Sequence, residues 1–252
     1  LMQDIRSLEP EAQELLQKLK SLAAKGPVPA LGHGDTSVGT TLLQQLDVPM
    51  TSLSKAQYKG IVITARRGSK AKDLNRVNLF AKVPDWDISA CKSTRELLEL
   101  CGYDRDGERR LNCTVRARIP NSQGLFLEVD HANGWLLEKQ NSPGPGVRDV
   151  VAWRMSDLEQ RLIQKQPASV WIVAVPSKKN NQEHFHYRYV TFTARPLANE
   201  LGRSIELGTV TVDHLISNRG GNVVEKGPLF KIKPSNVGAL FPSSPSFDLL
   251  RI

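Results

Sequence analysis

The segment Tyr58–Lys82, YKGIVITARRGSKAKDLNRVNLFAK, decides how the rest of the chain is read. Gly60 leads into Ile61, Val62, Ile63 and Thr64, a β-branched run that favours a pleated strand over a helix. The predicted strand covers Gly60–Ala65. A basic link follows, and Val77–Ala81 predicts a second short strand. Lys55, Lys59, Arg66, Arg67, Lys70, Lys72, Arg76 and Lys82 crowd this region against a single acid, Asp73. No Asp or Glu stands between Asp47 and Asp73. The pattern is a strand, a basic loop and a strand, with no carboxylate on the first strand.

Upstream, Glu9–Ala24 predicts a helix. Pro10 suits its first turn, Glu11 and Glu14 suit its positive end, and Leu15, Leu16, Leu19 and Leu22 share one face. Gly26-Pro27 ends it. Gly39–Leu46 predicts a short helix with Leu42, Leu43 and Leu46 inward. Downstream, Ser93 and Glu96 have capping-box spacing for a helix to Leu100, and Ser156 and Glu159 repeat that spacing for a helix to Lys165. Asn112–Arg118 and Gly124–Val129 alternate around PNSQ and read as a hairpin. NSPGPG at 141–146 reads as a lobe boundary or exposed loop. Val170–Val175 predicts a buried strand, SKKNNQ a polar break, and His184–Thr193 an alternating strand. Val210–Val212 and Leu229–Ile232 predict short strands, and the tail from Pro234 reads as a surface run. Helices and strands in this mixture predict a mixed α/β (α+β) fold.

Length and charge set the outer limits. The 252 residues accommodate one large domain or two lobes. A net charge of +8 favours polyanionic partners, nucleic acid first. Cys91, Cys101 and Cys113 are odd in number and lack CxxC spacing, which argues against a zinc site or a disulfide framework and for a reducing cytoplasm. No apolar run has the length of a membrane span, and no signal peptide is read at the start. Leu1-Met2 reads as a cloning scar or an excised domain.

TSVGTTLLQQLDV (36–48), YKGIVITARRGSKAKDLNRVNLFAKVP (58–84), LNCTVRARIPNSQGLFLEVDH (111–131), VAWRMSDLEQRL (151–162), VWIVAV (170–175), EHFHYRYV (183–190), TVTVDHLI (209–216) and EKGPLFKI (225–232) form an ordered series. In order and spacing this series resembles the MvaI/BcnI-type restriction endonucleases, relatives of the MutH mismatch-repair nickase. The resemblance spans about Asp35 to Ile232 and rests on the series, since no single motif is diagnostic. It implies a restriction-endonuclease-like mixed sheet flanked by helices, in a monomer with two lobes around a DNA cleft. The corresponding segmentation is an N-terminal helix (1–30), a former catalytic lobe (31–145), a DNA-recognition part (146–235) and a surface tail (236–252).

The resemblance also implies Mg²⁺-dependent cleavage, with an acid on the first short helix, an Asp and a Glu-x-Lys. In this chain those positions fall near Leu43, near Gln57, and at Val62 and Thr64. A histidine that some members carry falls at Ala81. Mg²⁺ needs hard oxygen ligands, and valine offers none. Acids supplied from elsewhere would be Asp35, Asp73, Asp85 or Glu128.

The predicted reading is a catalytically inert binder of double-stranded DNA, reading a short sequence or a base modification, with no catalytic residues, no metal ligands and no cofactor. Lys59, Arg66, Arg67, Lys70 and Lys72 would neutralise phosphates. Arg116 and Arg118, on one face of the hairpin strand, would lie along the backbone, with solvated charges an equal alternative. His214, Arg219, Lys226 and Lys231 would belong to a base-reading segment, a placement that the resemblance supports; Arg and Lys match guanine O6 and N7. His184 and His186 share a strand face and read as packing or as a polar DNA-facing strand rather than a metal site. One alternative is an active Mg²⁺-dependent nuclease with a displaced acidic site; another is a protein-interaction module that kept the fold. The expected setting is the bacterial cytoplasm, at the nucleoid and away from membranes. Partners there would be DNA and other domains or proteins of a defence or mobile-element system.

Overall fold

The computed structural model describes residues 2–50, 57–70, 78–142, 144, 146–242 and 244–252. Lys55, Lys72, Asp73, Arg76 and Val77 lie outside the described residues. In chain order the elements are α1 (Met2–Arg6), α2 (Pro10–Ala24), β1 (Val28–Pro29), α3 (Ser37–Gln45), β2 (Val62–Arg67), β3 (Asn78–Ala81), α4 (Thr94–Cys101), β4 (Tyr103–Arg105), β5 (Glu108–Val115), β6 (Leu125–Asp130), β7 (Trp135–Ser142), β8 (Gly146–Arg154), α5 (Met155–Lys165), β9 (Ser169–Lys179), β10 (Gln182–Thr193), α6 (Leu201–Glu206), β11 (Val210–Arg219), β12 (Asn222–Glu225), β13 (Leu229–Ile232) and β14 (Ser246–Asp248).

These elements fold into two compact units that interleave along the chain. The first takes residues 1–74, 167–195 and 241–252, and the second takes 75–166 and 196–240. The linear segmentation at 30, 145 and 235 is therefore corrected, because strand pairing draws distant segments together. NSPGPG is no lobe boundary: Ser142 at the end of β7 pairs with Gly146 at the start of β8, both within the second unit.

In the first unit the sheet runs β1-β10-β9-β2, with β14 also on β10. β2 is parallel to β9, and the other pairs are antiparallel. Leu15, Leu16, Leu19 and Leu22 of α2 and Val38, Leu42 and Leu43 of α3 bury against Ile63, Val170, Ile172, Phe185, Tyr187 and Phe192. Full burial of each such side chain contributes roughly 1.5–3 kcal/mol. The break SKKNNQ is itself structured, because Asn180 and Asn181 both take positive φ and close β9 and β10 into one long hairpin. The expected surface tail is also corrected. Phe247 and Leu249 are 3% and 2% exposed in the core of this unit, and β14 pairs with β10.

The second unit holds the sheet β3-β13-β11-β5-β4, with β12 on β11, and the meander β6-β7-β8. The hairpin expected from Asn112–Arg118 and Gly124–Val129 does not form. β5 pairs with β4 and β11, β6 pairs with β7, and a single parallel bridge, Ala117 to Leu127, joins the two stretches. Turn chemistry explains the outcome. Asp106 and Gly107 take positive φ between β4 and β5, while Asp130 Oδ1 accepts from Ala132 and Asn133 N–H between β6 and β7. The Ser93 cap forms as expected: Glu96 N–H donates to Ser93 Oγ, and Glu96 Oε2 accepts from Lys92 N–H. The Ser156 cap does not form. α5 already begins at Met155, and Asp85 Oδ2 accepts from Arg154 N–H at 2.7 Å. No helix of the described residues is long and apolar enough to cross a membrane.

Candidate nucleic-acid interface

β2 is the end of its sheet path, and its two faces differ. Ile63 and Ala65 pack on the helical core, so Val62, Thr64 and Arg66 take the other face. In the parallel register Val62 sits beside Ser169, Thr64 beside Trp171 and Arg66 beside Val173. Val62 N–H donates to Ala168 O, which turns the Ile63 N–H toward the edge away from β9. There the Gln57 carboxamide caps it, with Oε1 accepting at 2.8 Å. Gln57 Nε2 is then left buried with no partner among the described residues, and so is Trp171 Nε1.

This donor set does not fit Mg²⁺. Leu43 is buried in the core, Gln57 spends its oxygen on a backbone amide, and Val62 and Thr64 supply methyl groups and one hydroxyl. Ala81 pairs with Leu229 in the second unit. Among the described residues no three His, Cys, Asp or Glu side chains converge on a point. The described substitute acids are engaged in their own units. Asp35 lies 3.8 Å from Arg67, Asp85 lies 3.6 Å from Lys82 and accepts from Arg154 N–H, and Glu128 lies 3.1 Å from Lys139.

The basic candidates divide sharply. Arg67 is consumed internally: Nε and Nη2 donate to both oxygens of Glu183, Nη2 also donates to Gly34 O and Ser37 Oγ, and the guanidinium lies over the Phe185 ring. The hydrogen-bonded Glu183 carboxylate holds the Arg67 guanidinium above its ordinary pKa, and Arg67 in return lowers that of Glu183. Lys59 is exposed and pairs with Glu14 at 2.6 Å. Lys70 is exposed and Arg66 half-buried, while Lys72 lies outside the described residues. Arg116 and Arg118 do not alternate on a strand, since β5 ends at Val115; both are exposed in the link that follows, and Arg118 has φ +67°. Arg219 is exposed at the tip of the β11–β12 hairpin, before the positive-φ pair Gly220-Gly221. Lys226 and Lys233 are exposed, and Lys231 is held by Asp213 at 2.6 Å.

His214 is corrected from base reader to structural residue. It has no exposure, and its Nε2 meets both oxygens of the equally buried Glu138 at 2.8 and 2.9 Å. β11 alternates, so Val210, Val212, His214 and Ile216 all face inward. Burial drives the imidazole toward its neutral form, but the Glu138 carboxylate, joined by Glu225 and Asp213, holds the pKa above the ordinary value. His184 stays with Gln182 O, and His186 Nε2 meets Ala23 O at 2.9 Å at the end of α2. The Arg67–Glu183 clamp and the Glu138–His214 pair escaped sequence reading. The alternation Leu136, Glu138, Gln140 in β7 was the available signal for the second.

The model of the MvaI/BcnI restriction endonuclease family matches residues 16–241. The chain belongs to this family. Among solved structures, the restriction endonuclease MvaI in complex with cognate DNA substrate superposes with a TM-score of 0.58 at 18% identity, covering 96% of this chain and 100% of that one. MvaI in the absence of DNA gives a TM-score of 0.60 at 18% identity, covering 95% and 98%. These similarities establish a restriction-endonuclease-like mixed α/β fold. No curated protein matches the chain.

Proposed function

We propose that this MvaI/BcnI-family chain binds duplex DNA and does not cut it. One observation carries the reading: β2 and its flanks, residues 57–70, contain no carboxylate and hold Lys59, Arg66 and Lys70, with Arg67 tied internally to Glu183. Phosphodiester hydrolysis in such a site needs a positioned water and a hard cation to take up charge at the phosphate. Val62, Thr64 and Gln57 bind no such cation, and they add no negative charge to repel a phosphate. MvaI has been solved with cognate DNA, which supports the same ligand here. The β11–β12 tip with Arg219, and the exposed Lys226, supply cationic groups of the type that reads guanine or phosphate. A role in defence against foreign DNA or on a mobile element is in keeping with the family.

Two assays test this. Supercoiled plasmid with Mg²⁺ or Mn²⁺ should stay intact, and metal-dependent nicking by pure protein rejects inertness. Duplex binding should weaken steeply with salt, because each neutralised phosphate releases counterions. Flat, salt-insensitive binding rejects DNA as the partner and favours a protein-interaction role.

A further inference from the structure

We propose that the face of β2 bearing Val62 and Thr64 is a metal-free site for a phosphodiester oxygen, in which neutral N–H donors hold the phosphate. The inference rests on the reading that the chain binds duplex DNA. Two indole or amide N–H groups flank one short strand without a partner among the described residues. The Gln57 carboxamide lies at the edge of β2 away from β9, with its oxygen fixed by Ile63 N–H and its Nε2 without a partner among the described residues. That bond also fixes which end of the carboxamide is the donor. Trp171 Nε1 belongs to the neighbouring strand, in register with Thr64.

Buried donors in native proteins are nearly always paired, and an orphan one calls for an explanation, a missing ligand or water among them. Two buried orphan donors on the segments either side of one strand, with Thr64 in register with Trp171 and Arg66 two residues along the same face, leave donor capacity unmet there. A cation is the wrong occupant, since the two orphan N–H groups and Arg66 present hydrogen or positive charge and the Thr64 hydroxyl is the one group that could offer it an oxygen. A phosphate oxygen is the right one: it is anionic, accepts several hydrogen bonds, and gains most from donors that have already lost their water. Lys59 stands on the same edge segment, and its ion pair with Glu14 is exposed enough to exchange for a phosphate.

The test uses the full chain in EDTA. Nitrogen–proton correlation spectra carry indole signals from Trp86, Trp135, Trp153 and Trp171, and Trp171→Phe identifies its own. Added duplex should shift the Trp171 indole and leave that of the fully buried Trp153 in place. Gln57→Glu keeps an oxygen for Ile63 N–H but replaces the donor with a charge, and should weaken duplex binding about ten-fold. The Trp171 signal is read on wild-type protein, so the inference stays testable if Gln57→Glu folds poorly. Duplex binding with a silent Trp171 and a wild-type affinity for Gln57→Glu overturns the site and leaves the DNA-binding reading intact. No duplex binding by wild-type protein at any salt overturns that reading, and the site with it. A Trp171 shift with inorganic phosphate but none with duplex overturns the assignment to DNA.

Discussion

Replacing Glu138 by Leu tests the deepest electrostatic feature of the second unit. Glu138 and His214 are both at 0% exposure, 2.8 Å apart, and join β7 to β11. Water cannot take over for a lost carboxylate there. Removing one partner of a buried ion pair costs about 3–5 kcal/mol, since the survivor is stranded. His214 escapes part of that cost by giving up its proton, so Glu138→Leu should fall near the lower figure. For a chain of this size each kcal/mol lowers the melting midpoint by about 2–4 °C, giving a drop of roughly 6–12 °C. The pH dependence has a definite sign. The folded pKa of His214 is raised, so the stabilisation is complete below the unfolded value of about 6.5 and fades as pH rises through the higher folded value. Glu225 and Asp213 add to that field. The gap between wild type and Glu138→Leu should therefore close in alkali. Urea titrations at several pH values, followed by Trp153 fluorescence in the same unit, measure both effects. A loss under about 1 kcal/mol at neutral pH, or a gap independent of pH, would refute the argument. The double variant Glu138→Leu/His214→Leu should recover much of the loss, because two apolar side chains leave no stranded charge.

Other outcomes follow from the same structure. Phe247→Ala should destabilise the first unit by about 3–5 kcal/mol in a denaturant titration, because a surface tail has no such cost and a core aromatic does. Arg67→Met should lower stability by about 1–2 kcal/mol and raise proteolysis in the loop at Gly34, with the partial exposure of the clamp limiting the figure. Burial pushes the Cys101 and Cys113 thiols up to about 12, and Cys91 upward as well, so iodoacetamide at pH ~8 should label them slowly until urea unfolds the protein. Arg219→Ala should weaken duplex binding and lower its salt slope by about one if the residue touches phosphate, while relaxed sequence preference at an unchanged slope marks a base contact.

Local signals in the sequence carried well. The leucines of α2, the Ser93–Glu96 cap and the β-branched run of β2 are encoded within a few residues, and each forms as expected. Pairing between distant strands did not carry. Asn112–Val115 and Leu125–Asp130 both alternate, but alternation names a face and not a partner, and the Asp106-Gly107 and Asp130 turns send the two elsewhere. The Ser156 cap failed because the helix begins one residue earlier, at Met155, with Arg154 as its N-cap, so Ser156 lies inside the first turn where its side chain has no capping position. Charge was the least legible property. Arg67, Lys231 and His214 look alike as cationic candidates in a string of letters. Their partners Glu183, Asp213 and Glu138 come from other strands and turn them into internal struts. Exposed Lys59, Lys70, Arg116, Arg118, Arg219 and Lys226, with half-buried Arg66, remain among the groups able to meet a polyanion.

The first unit closes only when β14 lies against β10 and Phe247 enters its core. In chain order the second unit has all its segments by Leu240, while the first unit still waits for residues 241–252. On the ribosome, the leucines of α2 spend most of translation without their final lid. A fragment ending at Leu240 should therefore carry every segment of the second unit beside a first unit whose apolar core is uncovered, a species prone to stick to itself.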